Sequence, residues 1–338
     1  MAKARKLPSG RWRVQVYDKE TKKRKSFTAD TARKAQYLAI EWQEEQRESK
    51  VRGISIGEAI DLYIDGRVGV LSPSTIQGYR KIRECHISDE FASIPLAKVS
   101  SAIVQDKIKN LSKSLSAKTV HNVSGLISGA ISEIAPNIII SVSLPKIQKK
   151  FIELPPVEDV VKAIQGTDIE LSAMLAMWLS LSVSEIRGIN VKNIKDNVLT
   201  VCETVVQVDG VAVHKNATKA YERTRKLSIP PYIMSLIEKT DAYKEGNGYI
   251  ETRSVTAIGC RFRRVLQKAG VAHMTFHQLR HMNASVMAVL NIPEKYAQER
   301  GGWKTPYTMK KVYQHTFSKE RLAVDKTIDG FFEKIVKA

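Results

Sequence analysis

The sequence predicts a multidomain chain of 338 residues: a small α+β module over residues 1–50, an all-α domain over 54–145, and a mainly α domain with a small antiparallel sheet over 152–338. Three observations predict it. Apolar and polar side chains alternate through residues 11–17, helix-start signals recur through the middle of the chain, and Asp209-Gly210 separates two apolar runs further on. A chain of this length exceeds one ordinary domain of roughly 150 residues.

In the first module Trp12, Val14 and Val16 fall on one face of a strand, and Arg11, Arg13, Gln15 and Tyr17 on the other. Residues 18–21 read as a turn and 22–29 as the returning strand, which carries Lys22, Lys23, Arg24 and Lys25. A helix over about 31–46 follows, with Ala35, Leu38 and Trp42 spaced to cover the apolar back of the sheet. Fourteen Lys or Arg stand against seven Asp or Glu in residues 1–50. A solvated basic tail would share that composition but not the strict alternation.

A polar stretch over 44–52 ends this module, and helix resumes at Ile56. Ser72-Pro73 marks a helix start that turns Ile76, Tyr79 and Ile82 inward. Further helices are expected over 100–111 and 117–134, leaving Lys81, Arg83, Lys107, Lys109, Lys113 and Lys118 for phosphates. Singly, each of these is an ordinary solvated cation; together they suit a helical domain gripping a polyanion backbone. Residues 145–150 read as a basic linker. The last domain opens with helices and passes through strands at 198–206 and 211–214, joined across Asp209-Gly210. A third strand is expected at 226–229, and helices resume from Pro231.

Charge narrows the function. The chain has 54 Lys and Arg against 35 Asp and Glu, a net charge of +19. An excess of that size calls for a polyanion, and nucleic acid is the usual one because neutralising phosphates releases counterions. A basic membrane-surface protein is the rival, but no lipidation signal or basic amphipathic helix with an aromatic face stands out. No run of about 18 apolar residues exists for a membrane span, and the basic start leads into alternating residues rather than an apolar signal core, so a cytoplasmic protein is expected. The three cysteines, Cys85, Cys202 and Cys260, lie far apart without metal or redox spacing, so neither disulfide nor structural metal is expected.

Near the end, Thr275 and Gln278 have the spacing of a capping box. His277 and Arg280, three residues apart, then share a face at a helix start, where an imidazole and a guanidinium can hold an anion. His281, one turn later, reads as a packing residue. Gly301-Gly302-Trp303 follows, and Tyr313 stands ten residues beyond Trp303.

Singly these are ordinary residues, but the string His277, Arg280, Gly302-Trp303 and Tyr313 resembles the signature of tyrosine recombinases of the phage integrase family. The resemblance extends back to Thr218-Lys219, standing before Arg225 as the family's catalytic lysine stands before a strand. It implies that the first segment is a three-stranded arm-binding module, the second a helical core-binding domain and the third the catalytic domain. It also implies that Tyr313 attacks the scissile phosphate, that Arg280, His277 and Trp303 hold its oxygens, and that Lys219 protonates the leaving 5′-oxygen. No cofactor is implied. The implied partners are double-stranded DNA attachment sites, three further copies in a homotetramer, and DNA-bending and excision accessory proteins.

One position departs from the pattern. The family's first arginine stands two residues before Ser-Glu, and here Ser182 takes that place in Ser180-Leu181-Ser182-Val183-Ser184-Glu185. Arg223 or Arg225 could reach in; Arg187 lies on another face, and Ser182 has capping-box spacing with Glu185. This departure supports a rival in which the chain is a weak or silent relative acting as a DNA-binding regulator or architectural protein. A type IB topoisomerase would share the chemistry but has no use for a separate arm-binding module. A two-metal nuclease would require a carboxylate cluster that the basic clamp lacks. The apolar residues of the tail, Leu322 to Val336, suggest a segment that docks on a neighbouring subunit.

Overall fold

The structure is a computed structural model and describes residues 3–18, 22–148, 153–216, 224–303 and 305. It divides into two compact units, Met1–Gln148 and Lys149–Ala338.

In the first unit β1 (Arg5–Lys6), β2 (Trp12–Asp18) and β3 (Lys23–Ala29) form an antiparallel sheet in that order, followed by α1 (Ala32–Arg52). Val14, Val16 and Ala29 bury against Ala35 and Ala39 of α1, with Trp12, Phe27, Leu38 and Trp42 packed around them. Strand register corrects the expected grouping of cations. Residues opposite one another share a face, and Arg13 pairs with Arg5 and with Thr28, Gln15 with Ser26, and Tyr17 with Arg24. Arg5, Arg13 and Arg24 therefore form the basic front. Lys25 pairs with Val16 and Lys23 with Asp18, which puts both lysines on the helix side of the sheet. Lys25 Nζ lies 4.6 Å from the Trp42 ring centroid, a cation–π contact that shields the apolar face. Arg11 is ion-paired with Asp30 at 3.3 Å, and Lys22 is exposed with a φ of 54°.

The stretch over 44–52, expected as a polar connector, belongs to α1. Its Glu, Gln, Arg and Lys are good helix formers, and no glycine or proline interrupts the chain between Gly10 and Gly53. Then come α2 (Ile56–Asp65), α3 (Pro73–His86), α4 (Asp89–Ala92), α5 (Ser101–Ser112) and α6 (Ala117–Ile134). Ser55, Ser72, Ser100 and Ser116 cap four of them, each hydroxyl accepting the backbone N–H three residues on. Ile56, Ile60, Leu96, Ile108, Leu126 and Ile127 form the centre of the core. Lys81, Lys109, Lys113 and Lys118 are exposed. Two cations expected to be free are engaged: Arg83 bonds Asp61 at 3.1 Å, and Lys107 bonds Ser88 Oγ at 3.2 Å beside the Phe91 ring. The start of the linker is tied down, with the Ser143 N–H donating to Gln105 Oε1 at 2.7 Å and a His121 ring nitrogen 2.9 Å from the Pro145 carbonyl.

The second unit opens with α7 (Val157–Ile164), α8 (Glu170–Trp178) and α9 (Val183–Arg187). Strands β4 (Ile194–Lys195), β5 (Val198–Val201), β6 (Glu203–Val208), β7 (Val211–Asn216) and β8 (Arg225–Ser228) follow. The described part closes with α10 (Pro231–Ile237), α11 (Asp241–Lys244), α12 (Val255–Lys268), α13 (Gln278–Val289) and α14 (Glu294–Gly301). Leu175, Leu179, Ile186, Phe262 and Leu279 lie at the centre of its core. The β6–β7 hairpin turns at Asp209 and Gly210, both at positive φ (49° and 82°), as a two-residue turn requires. The strand expected over 198–206 is divided at Cys202. Its first part pairs with β4 and β8 in one sheet, and its second pairs with β7 alone. Nothing local signals that break; just after it Gly188 lies so close to the Glu203 carbonyl that a methyl group there would collide. Among the described residues no helix is long and apolar enough to cross a membrane.

Candidate active site

The second unit has a charged centre inside its core, and α9 begins it. Ser182 caps that helix: its Oγ accepts the Glu185 N–H at 3.4 Å, and Glu185 Oε2 accepts the Ser182 N–H at 2.7 Å, closing a full capping box. The helix thereby fixes the Glu185 carboxylate, on a side chain only 11% exposed.

Two guanidinium groups meet on that carboxylate. Arg225, pointing inward from β8, donates from Nη1 to Glu185 Oε1 at 2.6 Å and from Nε to the Arg300 carbonyl at 3.0 Å. Arg280, in the first turn of α13, donates from Nη1 to the Ser180 carbonyl at 2.6 Å and to Glu185 Oε2 at 3.4 Å, and from Nη2 to the Gly301 carbonyl at 2.6 Å. Burial alone would push the Glu185 carboxyl up. The charges of Arg225 and Arg280 and the Ser182 N–H outweigh that and hold it below the usual carboxylate range. The carboxylate is therefore ionised at neutral pH.

The Gly301-Gly302-Trp303 string has a steric reason. Trp303 is buried with Ala284, Met287 and Ala297, and the Arg280 guanidinium carbon lies 5.0 Å from its ring centroid. A side chain on Gly301 would run into the Trp303 indole. Gly302 ends α14 in the left-handed region at φ 61°, and a methyl group on it would stand 2.6 Å from Arg225 Nη1. One glycine makes room for the indole and the next for the guanidinium.

His277 precedes α13 in a helical backbone conformation, and its ring meets that of His281 edge to face at 5.0 Å. The expected capping box forms only by half. Gln278 Oε1 accepts the Thr275 N–H, but the helix starts later than Thr275 and no side chain caps it. Although His277 has an exposed edge, its protein surroundings push its pKa down; the Arg280 charge adds to this and Glu185 opposes it. The shift favours the neutral ring, which has one N–H to donate.

Ser182 and Arg280 thus meet on one carboxylate, with Trp303 against the Arg280 guanidinium and His277 within reach of both charges, and they are joined there by Arg225, which the signature string omits. The sequence offered it beside Arg223 as a residue that could reach in, and the apolar-polar alternation of β8 turns Arg225 and Leu227 inward. Arg187 is directed elsewhere, toward the Val205 carbonyl at 3.4 Å. Lys219, Arg223, Tyr313 and the tail over 318–338 lie outside the described residues.

Residues 156–320 match the model described as the phage integrase family, and residues 55–112 match that described as phage integrase, N-terminal SAM-like domain. Among solved structures, the Tn1549 transposon integrase in complex with transposon right end DNA is similar at a TM-score of 0.67 and 16% identity, over 82% of this chain and 100% of that one. A λ integrase dimer bound to a COC′ core site is similar at 0.60 and 17% identity, over 92% of this chain and 94% of that one. A λ integrase tetramer bound to a Holliday junction is similar at 0.58 and 18%, over 90% and 96%. Identities this low establish likeness of fold. An integrase from Saccharopolyspora erythraea is 32% identical over 71 residues, which span 21% of this chain and only 16% of that protein.

Proposed function

Given that this chain belongs to the phage integrase family, we propose that it is a site-specific DNA recombinase that cuts and rejoins DNA through a 3′-phosphotyrosine. The observation that carries this reading is the charge balance of the buried centre. Two guanidinium groups share one carboxylate there, which leaves a positive charge that a phosphate would neutralise.

In this reading Tyr313 loses its phenolic proton as it attacks the scissile phosphorus, the bond to the 5′-oxygen breaks, and Lys219 supplies the proton that oxygen takes, so one proton leaves the tyrosine for each one the lysine gives. Arg280, neutral His277 and Trp303 donate to the non-bridging oxygens as charge builds on them. A 5′-hydroxyl of a partner strand reverses the step. The phosphotyrosine conserves the phosphodiester bond, so the chemistry calls for neither metal nor nucleotide.

The division into residues 1–50 on arm-type sites, 54–145 on core sites and 152–338 for catalysis belongs to the same reading. So do a homotetramer on paired attachment sites, a tail exchanged between subunits, accessory bending and excision proteins, and a cytoplasmic place of action. The front formed by Arg5, Arg13 and Arg24 supports an arm-type contact, with Lys81 and Lys118 left exposed for the core site. Deleting residues 1–50 should abolish salt-sensitive binding to arm sites while sparing core-site cleavage; unaltered arm binding would refute that assignment.

The main test is a core-site duplex nicked near the cut, which traps the covalent intermediate. The full chain should form an adduct, and Tyr313→Phe should bind the same DNA but form none. The rival reading, a silent DNA-binding relative, draws on the commitment of the Ser182 hydroxyl to its helix cap. It predicts binding without an adduct from the unaltered chain.

A further inference from the structure

We propose that Arg225 takes over the task of the arginine missing at position 182, with its free Nη2 donating to a non-bridging oxygen of the scissile phosphate. The inference rests on the recombinase reading above and deepens it.

Position comes first. Ser182 and Arg225 both bond Glu185, the serine at Oε2 and the arginine at Oε1, so the guanidinium lies one carboxylate away from where the expected arginine would start. Arg280 is bonded to the same carboxylate. Two forks on one anchor are what bidentate recognition of a tetrahedral anion needs, and a serine hydroxyl cannot replace a charged fork.

Satisfaction comes second. Arg225 is only 8% exposed, and Nε and Nη1 are both used within the protein. Its Nη2 is buried and has no hydrogen-bond partner among the described residues. A buried guanidinium N–H without an acceptor is disfavoured, and an incoming phosphate oxygen would supply one. The bonds from Nε and Nη1 hold the group in place, so the remaining donor is pre-organised.

Alternatives among the described residues point elsewhere. Arg300 Nη2 bonds the Trp178 carbonyl at 3.0 Å, and Arg187, whose buried Nε also has no hydrogen-bond partner among the described residues, turns its Nη1 to the Val205 carbonyl at 3.4 Å rather than to Glu185. The Arg225 guanidinium also lies where a side chain on residue 302 would begin, a Cβ there standing 2.6 Å from Nη1.

The test compares two nicked core-site duplexes, one with the ordinary scissile phosphate and one with a methylphosphonate there. The methyl group removes the negative charge that Arg225 would meet. Adduct formation by Arg225→Ala should fall about a hundred- to thousandfold on the phosphate but less than about tenfold on the methylphosphonate, as expected when one charge-stabilising donor is lost. Because both rates come from one preparation, their ratio is independent of the folded fraction. Arg225→Lys, which keeps a cation for Glu185 but loses the fork, should shift the ratio in the same direction by less. A loss on the phosphate without relative gain on the methylphosphonate, complete loss on both included, would make Arg225 a structural partner of Glu185 and overturn the proposal, as would unchanged rates. An adduct formed by Tyr313→Phe would instead refute the nucleophile, which is a separate failure.

Discussion

Ser55-Glu58 and Ser182-Glu185 are the same local device in two settings. In both, the serine Oγ accepts the glutamate N–H, at 3.3 Å and 3.4 Å, and the glutamate Oε2 accepts the serine N–H, at 2.8 Å and 2.7 Å. Glu58 is exposed and does no more than finish its helix. Glu185 is buried and holds Arg225 and Arg280. The backbone hydrogen bond from Ser55 is what chiefly lowers the Glu58 pKa, whereas Glu185 has to overcome its burial with two arginines. A capping box thus sets where a helix begins and where its third residue points. Distant strands and helices decide whether that carboxylate is an ornament of the helix end or the anchor of a charged centre.

The largest difference between the two boxes should come from removing the carboxylates. Glu185→Ala leaves two buried guanidinium groups without their counter-charge and should cost about 3–5 kcal/mol in urea unfolding, the usual range for breaking a buried pair. Glu58→Ala should be far milder; equal losses would break the comparison. Acid should reveal the same contrast. The folded pKa of Glu185 lies below its unfolded value, so its contribution is fully present above about pH 4.3 and disappears as pH falls through the folded value. The stability gap between the unaltered chain and Glu185→Gln should therefore narrow as pH drops below about 4. A gap independent of pH would mean that the carboxylate is not the titrating partner.

The smallest effects should come from the serines, and here the two boxes should agree. Ser55→Ala and Ser182→Ala should each cost about 1 kcal/mol in thermal or urea unfolding, because each loses one cap. Ser182→Arg should lose the same cap and yet not lower adduct formation on a nicked core site. If it abolished cleavage while DNA binding persisted, the centre must have been rebuilt around the serine.

Much of the fold was legible because it is written locally. Ser72 and Ser100 open their helices within a residue of expectation, and Asp209-Gly210 makes its turn. What escaped is written at long range. The break at Cys202 divides the run between two sheets, the first of which is completed by β8 from beyond the hairpin, and the sorting of Arg24 from Lys25 depends on which residues of β2 they face. The helical stretch over 44–52 was missed for another reason: its polarity suggested a connector, although its residues favour helix. In the candidate site, the spacing of His277 and Arg280 was visible in one turn of helix. Arg225 was open as one of two candidates with Arg223, but its partners Glu185 and Arg300, 40 and 75 positions away, were not legible.

Gly302 ties two distant parts of the chain into a shared inheritance. It is constrained twice, by its left-handed backbone and by the Arg225 guanidinium where a side chain would begin. A lineage that shortened Arg225 would lift the second constraint and keep the first. One that enlarged Gly302 would strain the turn and displace the guanidinium in a single step. Drift at the two positions is therefore asymmetric: the glycine can outlast the arginine, but the arginine cannot keep its place once the glycine is gone.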